Sequence, residues 1–236
     1  MDDEMTARDG PMVEFEHVSM VYPEGTEALD DVTVAIDEGE FVFIVGPTGE
    51  GKSTLIKLIY RELLPTMGRV LVAGGDVAAL PLRKVPYLRR RIGVVFQDFR
   101  LLPHQTVFQN VAFALRVVGE GGRKIRRRVP ELLEQVGLAQ RPDALPSQLS
   151  GGEQQRVSIA RALAHEPPIF LADEPTGNLD PDTSWEIMQL IARVIAERGT
   201  TVIVATHDKL MVDAMHTRVI ELSNGRVVRD APEAGY

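Results

Sequence analysis

Five consecutive apolar residues, Phe41-Val42-Phe43-Ile44-Val45, run directly into Gly46-Pro47-Thr48-Gly49-Glu50-Gly51-Lys52-Ser53-Thr54. Beyond them Leu55, Leu58, Ile59 and Leu63 recur at helical spacing. A strand apolar on both faces belongs inside a parallel sheet, so the stretch reads as strand, glycine-rich turn and helix. The turn carries G-x-x-x-x-G-K-[ST], the spacing of a phosphate-binding loop. Its glycines let backbone N–H groups curl around an anion, and the following helix points the positive end of its dipole at the same place. In such a loop Lys52 reaches the β- and γ-phosphates and the Ser53 hydroxyl ligates Mg²⁺. Gly46, Pro47, Thr48, Gly49, Glu50, Gly51, Lys52, Ser53 and Thr54 are all candidate nucleotide contacts. Glu50 brings a carboxylate close to phosphate, which is unfavourable unless its side chain turns away to solvent.

A phosphate loop needs a second site for metal and water. Ile169-Phe170-Leu171-Ala172 is a second fully apolar strand, and it delivers Asp173 and Glu174 at its end. Asp173 would hold the Mg²⁺ shell, and Glu174 would polarise the attacking water as general base. Thr201 to Ala205 reads as a third buried strand. Around these, Val13 and Phe15 alternate with Glu14 and Glu16, and Val32, Val34 and Ile36 alternate with polar neighbours, as half-buried strands do. Short strands are expected over Arg69–Ala73 and Gly93–Phe96, helices over 182–197 and 208–215. A terminal hairpin is expected to pair Arg218–Leu222 with Arg226–Arg229 across Asn224-Gly225.

The stretch from Phe99 to Ala164 is different in texture, with helical patterns over Val107–Val118 and Lys124–Val136. It ends in Leu149-Ser150-Gly151-Gly152-Glu153, where Ser150 and Glu153 form a capping box for a helix over Gln154–Ala164. An ordinary helix start would not choose two glycines, each costing up to about 1 kcal/mol relative to alanine. Glycines there suit a backbone that something must approach closely. A helix N-terminus fronted by a serine hydroxyl is an anion receptor.

Leu149 to Glu153 resembles the signature motif of the ATP-binding cassette (ABC) ATPases, and the resemblance covers nearly the whole chain. It implies a P-loop NTPase core of α/β class, with a mixed or parallel sheet, an antiparallel β subdomain and an inserted α-helical subdomain. On this chain the leader would be 1–12, the ATP-binding core 13–98 and 165–229, the helical insertion 99–164, and the tail 230–236. It implies a homodimer in which Ser150, Gly151, Gly152 and Glu153 of one copy close over ATP held by the phosphate loop of the other. Tyr22 matches the aromatic that stacks on adenine, and Gln97 the glutamine that contacts Mg²⁺ and water and senses a membrane partner. Asp180, in Gly177-Asn178-Leu179-Asp180, matches the aspartate that communicates across the dimer. His207, just past the third buried strand, matches the histidine that contacts the γ-phosphate. Catalysis would then rest on Glu174, His207, Lys52 and Gln97, and the metal on Ser53, Gln97 and Asp173, with ATP and Mg²⁺ as cofactors.

A narrower resemblance lies in Arg83 to Gly93, Phe96-Gln97-Asp98, Leu101-Leu102, Leu149 to Arg156 and Ala172 to Leu179. These stretches are similar to the cell-division ATPases of the family, which work with a polytopic integral membrane protein. Cassettes of lipoprotein-release and macrolide-export type share much of the same pattern. A nucleotide-gated scaffold without obligatory turnover is the alternative of another class, against which an intact Glu174 and His207 argue.

With 34 acidic and 26 basic side chains the chain carries a formal charge of -8, the wrong sign for a general nucleic-acid binder. It contains no cysteine, which excludes disulfides, thiolate metal sites and cysteine nucleophiles. Met1-Asp2-Asp3-Glu4 lacks the basic-then-apolar layout of a signal peptide. No apolar run approaches the roughly 20 residues of a membrane helix. The expected place is therefore the cytoplasm, peripheral on the inner face of the plasma membrane through the partner. Arg123-Lys124 and Arg126-Arg127-Arg128 read as a solvated helix face, with attraction to anionic lipid as the sharper alternative. Met188, Met211 and Met215 read as core filler.

Overall fold

The computed structural model describes residues 10–196 and 199–232; the first nine residues of the expected leader and residues 233–236 of the expected tail lie outside them. The chain begins with strands β1 (Val13–Val21), β2 (Glu27–Ile36) and β3 (Phe41–Val45), then helix α1 (Lys52–Ile59). Strands β4 (Met67–Val72) and β5 (Gly75–Asp76) and a short helix α2 (Val85–Arg89) follow. Next come β6 (Ile92–Phe96), α3 (Val107–Val117), α4 (Gly122–Gln135), α5 (Gly151–Leu163), β7 (Ile169–Asp173) and α6 (Pro181–Ala196). The last elements are β8 (Thr201–Thr206), α7 (Lys209–Met215), β9 (Arg218–Ser223) and β10 (Arg226–Ala231). Two compact units result, one of residues up to Arg89 with those from Thr201 onward, the other Arg90–Thr200. Strands β6 and β7 group with the helical segment, because α5 packs on β6 within the second unit.

The first unit holds an antiparallel sheet ordered β2-β1-β4-β5. It also holds β10, β9, β3 and β8 side by side, with β3 parallel to both β8 and β9 and β10 antiparallel to β9. Val42 to Val45 and the whole of β8 are buried, the burial expected of strands covered on both faces. The alternation that opens β1 breaks at His17, which takes φ 50° where the β1–β2 register shifts; its Nδ1 lies 2.8 Å from Asp31 Oδ1. Asn224 and Gly225, at φ 49° and 72°, form the tight turn between β9 and β10. Met12, assigned to the loose leader by the sequence, is buried, and its carbonyl accepts from Ala73 N–H at 2.8 Å. Helix α2 was not legible: Pro86 and a run of basic residues mask it, although Val85 and Leu88 are buried.

In the second unit β6 and β7 run parallel, in register from Ile92↔Ile169 to Phe96↔Asp173. The backbone of β6 comes so close to α5 that a Cβ on Gly93 would lie 2.5 Å from the Ala162 carbonyl oxygen. On α4 the basic face is laced with acids: Lys124 to Glu120 at 2.6 Å, Arg128 to Glu131 at 3.5 Å and to Glu166 at 2.8 Å. Met188 and Met211 are buried and Met215 half-buried. Among the described residues no helix is long and apolar enough to cross a membrane.

Candidate functional site

In the first unit the site is built on the turn from β3 into α1. Lys52 opens α1 and is 4% exposed; its ammonium donates to the carbonyls of Gly46 at 2.6 Å and Pro47 at 2.8 Å. The side chain thereby folds back under the loop it belongs to. Gly46, Gly49 and Gly51 take φ of 145°, 94° and 96°, a backbone that a side chain would strain. Gly51 is also the N-cap of α1 and offers no side-chain acceptor there. The Glu50 carboxylate accepts the Asn224 N–H of the β9–β10 turn, so it is turned from the loop into a structural bond and not simply to solvent.

Tyr22 directly follows β1, half-buried, and its hydroxyl lies 3.0 Å from Thr54 Oγ1, which brings the aromatic to the loop's last residue. His207 is exposed and follows β8. The parallel register pairs Val45 with Thr206, so Gly46 and His207 are the next residues along two neighbouring strands.

In the second unit Asp173 ends β7 half-buried, and Glu174 follows at φ 48°. The pairing of Phe96 with Asp173 sets Gln97 beside Glu174 at the ends of two parallel strands. Gln97 and Asn178 exchange hydrogen bonds: Gln97 Nε2 donates to Asn178 Oδ1 at 3.3 Å, and Asn178 Nδ2 donates to the Gln97 carbonyl at 2.9 Å. Gly177 makes room for this, since a Cβ there would lie 2.9 Å from Gln97 Nε2. Asp180 Oδ1 accepts Thr183 N–H at 3.0 Å in the first turn of α6, and the hydrogen bonds from Thr183 hold its carboxyl below the usual carboxylate value.

Ser150 is the N-cap of α5. Its Oγ accepts Glu153 N–H at 3.2 Å, and Glu153 Oε2 accepts Ser150 N–H at 2.8 Å, so the capping box is fully formed. Glu153 is further held by Arg141 at 3.3 Å. The helix begins at Gly151, earlier than the Gln154 expected from sequence, because the box closes its first turn. The two glycines also serve the chain's own packing. A Cβ on Gly152 would lie 2.6 Å from Thr183 Cγ2, and one on Gly151 would lie 3.2 Å from Leu179 Cδ2.

The structure thus groups Tyr22, Gly46–Thr54 and His207 in one unit, and Gln97, Asp173, Glu174, Ser150–Glu153 and Asp180 in the other. Two residues escaped the sequence reading. Asn178 lay inside a quoted motif, but its partner is 81 residues away. Gln155, fully buried, donates to the Pro175 carbonyl at 2.5 Å, just past Glu174. Its signal was only a glutamine repeated after the signature, with no periodicity to mark it as inward.

A sequence model of the ABC transporter family matches residues 29–177. The chain belongs to that family, and within it is an FtsE-like ABC ATPase. It is 53% identical over 225 residues to the cell division ATP-binding protein FtsE of Bacillus subtilis, covering 95% of this chain and 98% of that one. Against FtsE of Mycobacterium tuberculosis the identity is 54% over 226 residues, covering 95% and 98%. Among solved structures, the dimeric ATP-binding cassette MJ0796 in a post-hydrolysis state with ADP and Pi superposes with a TM-score of 0.86 at 40% identity. That match covers 95% of this chain and 100% of the cassette.

Proposed function

We propose that this chain is the ATP-binding and ATP-hydrolysing subunit of a membrane ABC complex of FtsE type. It forms a homodimer with ATP at the interface and drives a polytopic, FtsX-like membrane protein in cell division and the control of cell-wall hydrolases. The name shared by the FtsE relatives supports the division role, and the dimeric cassette bound to ADP and Pi supports dimer and turnover. The observation that carries the chemistry is the phosphate loop, with Lys52 buried on the loop's own carbonyls and positive-φ glycines that put no side chain over the cradle.

In this reading Tyr22 stacks on adenine and the residues Gly46 to Thr54 hold the phosphates. Lys52 and His207 contact the γ-phosphate, and Ser150 and Gly152 of a second copy close over it, with Gly151 and Glu153 shaping that helix start. Asp180 signals across the dimer. Ser53, Gln97 and Asp173 fit Mg²⁺ as oxygen donors. These three donors would leave positions on the ion for the oxygens of a bound phosphate. Mg²⁺, when bound, neutralises charge on those oxygens. Glu174 takes a proton from water as the water oxygen bonds to the γ-phosphorus and the bond to the bridging oxygen breaks, releasing ADP and inorganic phosphate. The loop after Gln97, with Phe99, Leu101 and Leu102, docks the partner and holds the chain at the inner face of the plasma membrane.

A general base contributes about 10²–10⁴-fold. Glu174→Gln is therefore expected to bind ATP, to lose turnover by about that factor and to accumulate as a dimer in sedimentation. Turnover at the parental rate overturns the assignment of the base, and rescue of division by Glu174→Gln would favour a scaffold.

A further inference from the structure

Two backbone positions after Gln97 are left-handed without being glycine: Phe99 at φ 57° and Arg100 at φ 46°. Such residues persist only where their surroundings over-determine them. Arg161, in the last turn of α5, supplies that grip: its Nη2 donates to the Phe99 carbonyl at 2.8 Å and its Nη1 to the Arg100 carbonyl at 2.5 Å. Arg100 is also held from its own side. Arg100 lies over the Phe96 ring at 3.7 Å and bonds Asp98 at 3.3 Å. Arg161 is brought there with a second cation beside it, and burial and the Arg100 charge both lower its pKa.

The other end of α5 carries Ser150. From its cap to its last turn the helix is a single rod of about 20 Å. The close approach of Gly93 to Ala162 sets the rod's far end hard against β6, the strand that leads to Gln97. We propose that Arg161 is a positioning residue that makes α5 a lever: a displacement of the helix start on nucleotide is delivered, through two adjacent carbonyls, to the loop that docks the membrane partner. This inference rests on the reading above, in which Ser150 closes over ATP and the segment after Gln97 meets the partner.

The test uses the full chain with Glu174→Gln and MgATP as probe, reading amide hydrogen exchange over residues 98–102 beside the sedimentation of the dimer. Without Arg161 changed, MgATP is expected to alter exchange of the segment by about fivefold or more, the lower end of ordinary coupling. With Arg161→Gln added, the dimer is expected to form at similar MgATP while the response of 98–102 is lost. Arg161→Lys keeps the charge but is shorter and lacks the planar fork of donors that meets the two carbonyls at their present spacing. It is expected to lose most of the response and serves if the glutamine variant does not fold. An undiminished response in a folded variant that dimerises overturns the lever. Failure of the Glu174→Gln chain to dimerise overturns the sandwich reading itself.

Discussion

His165 lies between α5 and β7, and among the described residues neither of its buried ring nitrogens has a hydrogen-bond partner. Burial lowers its pKa from the usual 6.5. The unfolded chain therefore takes up a proton at a pH where the folded chain does not, so stability falls as pH drops through the usual imidazole value. His165→Leu is expected to flatten the loss of melting temperature between pH 7.5 and 5.5, because it removes a buried polar ring with nothing to bond. A variant that keeps the parental slope would place the pH dependence elsewhere. At this scale the sequence was informative where chemistry is written in residue type, as in Lys52, Asp173 and Glu174. It was blind where a long-range partner decides the role. Glu50 looked like a liability beside phosphate, and only the fold shows its carboxylate engaged by the Asn224 N–H.

Helix α5 makes the same point for an element. Ser-x-x-Glu announced a capping box, and both of its hydrogen bonds form. Removing a cap of this kind costs about 1 kcal/mol, which for a chain of this size lowers the melting temperature by about 2–4 °C. Ser150→Ala is expected to show that drop. Under the sandwich reading it is also expected to lower kcat by about tenfold or more at temperatures where the variant is fully folded, since charge-assisted contacts to phosphate are lost. A melting drop with kcat intact would leave Ser150 a cap and nothing else. The glycines behind it had seemed reserved for a close approach by another molecule. The near contact with Thr183 gives them a second reason, internal to the chain, which no local pattern could have revealed. Boundaries moved by up to five residues: α5 starts at Gly151 because its cap closes the first turn, and β1 continues past the irregularity at His17 to Val21.

For the whole molecule, a nucleotide that binds one copy stabilises it independently of protein concentration, whereas one that glues two copies does not. A ligand at 100 times its Kd adds about 2.7 kcal/mol. MgATP on the Glu174→Gln chain is therefore expected to raise the melting temperature by an amount that grows with protein concentration, while ADP gives a rise that does not. Equal behaviour of the two nucleotides would remove ATP from the interface.

By itself the amino-acid order determined the buried parallel strands, the phosphate loop, the carboxylates at a strand end and the capped signature helix. These depend on burial periodicity, backbone freedom and hydrogen bonding within a few residues, all of which are local. Tertiary structure alone decided that Tyr22 meets Thr54, that Gln97 locks to Asn178, and that Arg161 holds the carbonyls of Phe99 and Arg100. Those bonds join residues 32 to 81 positions apart, and a hydrogen bond across such a distance depends on how strands and helices pack, which no local spacing encodes.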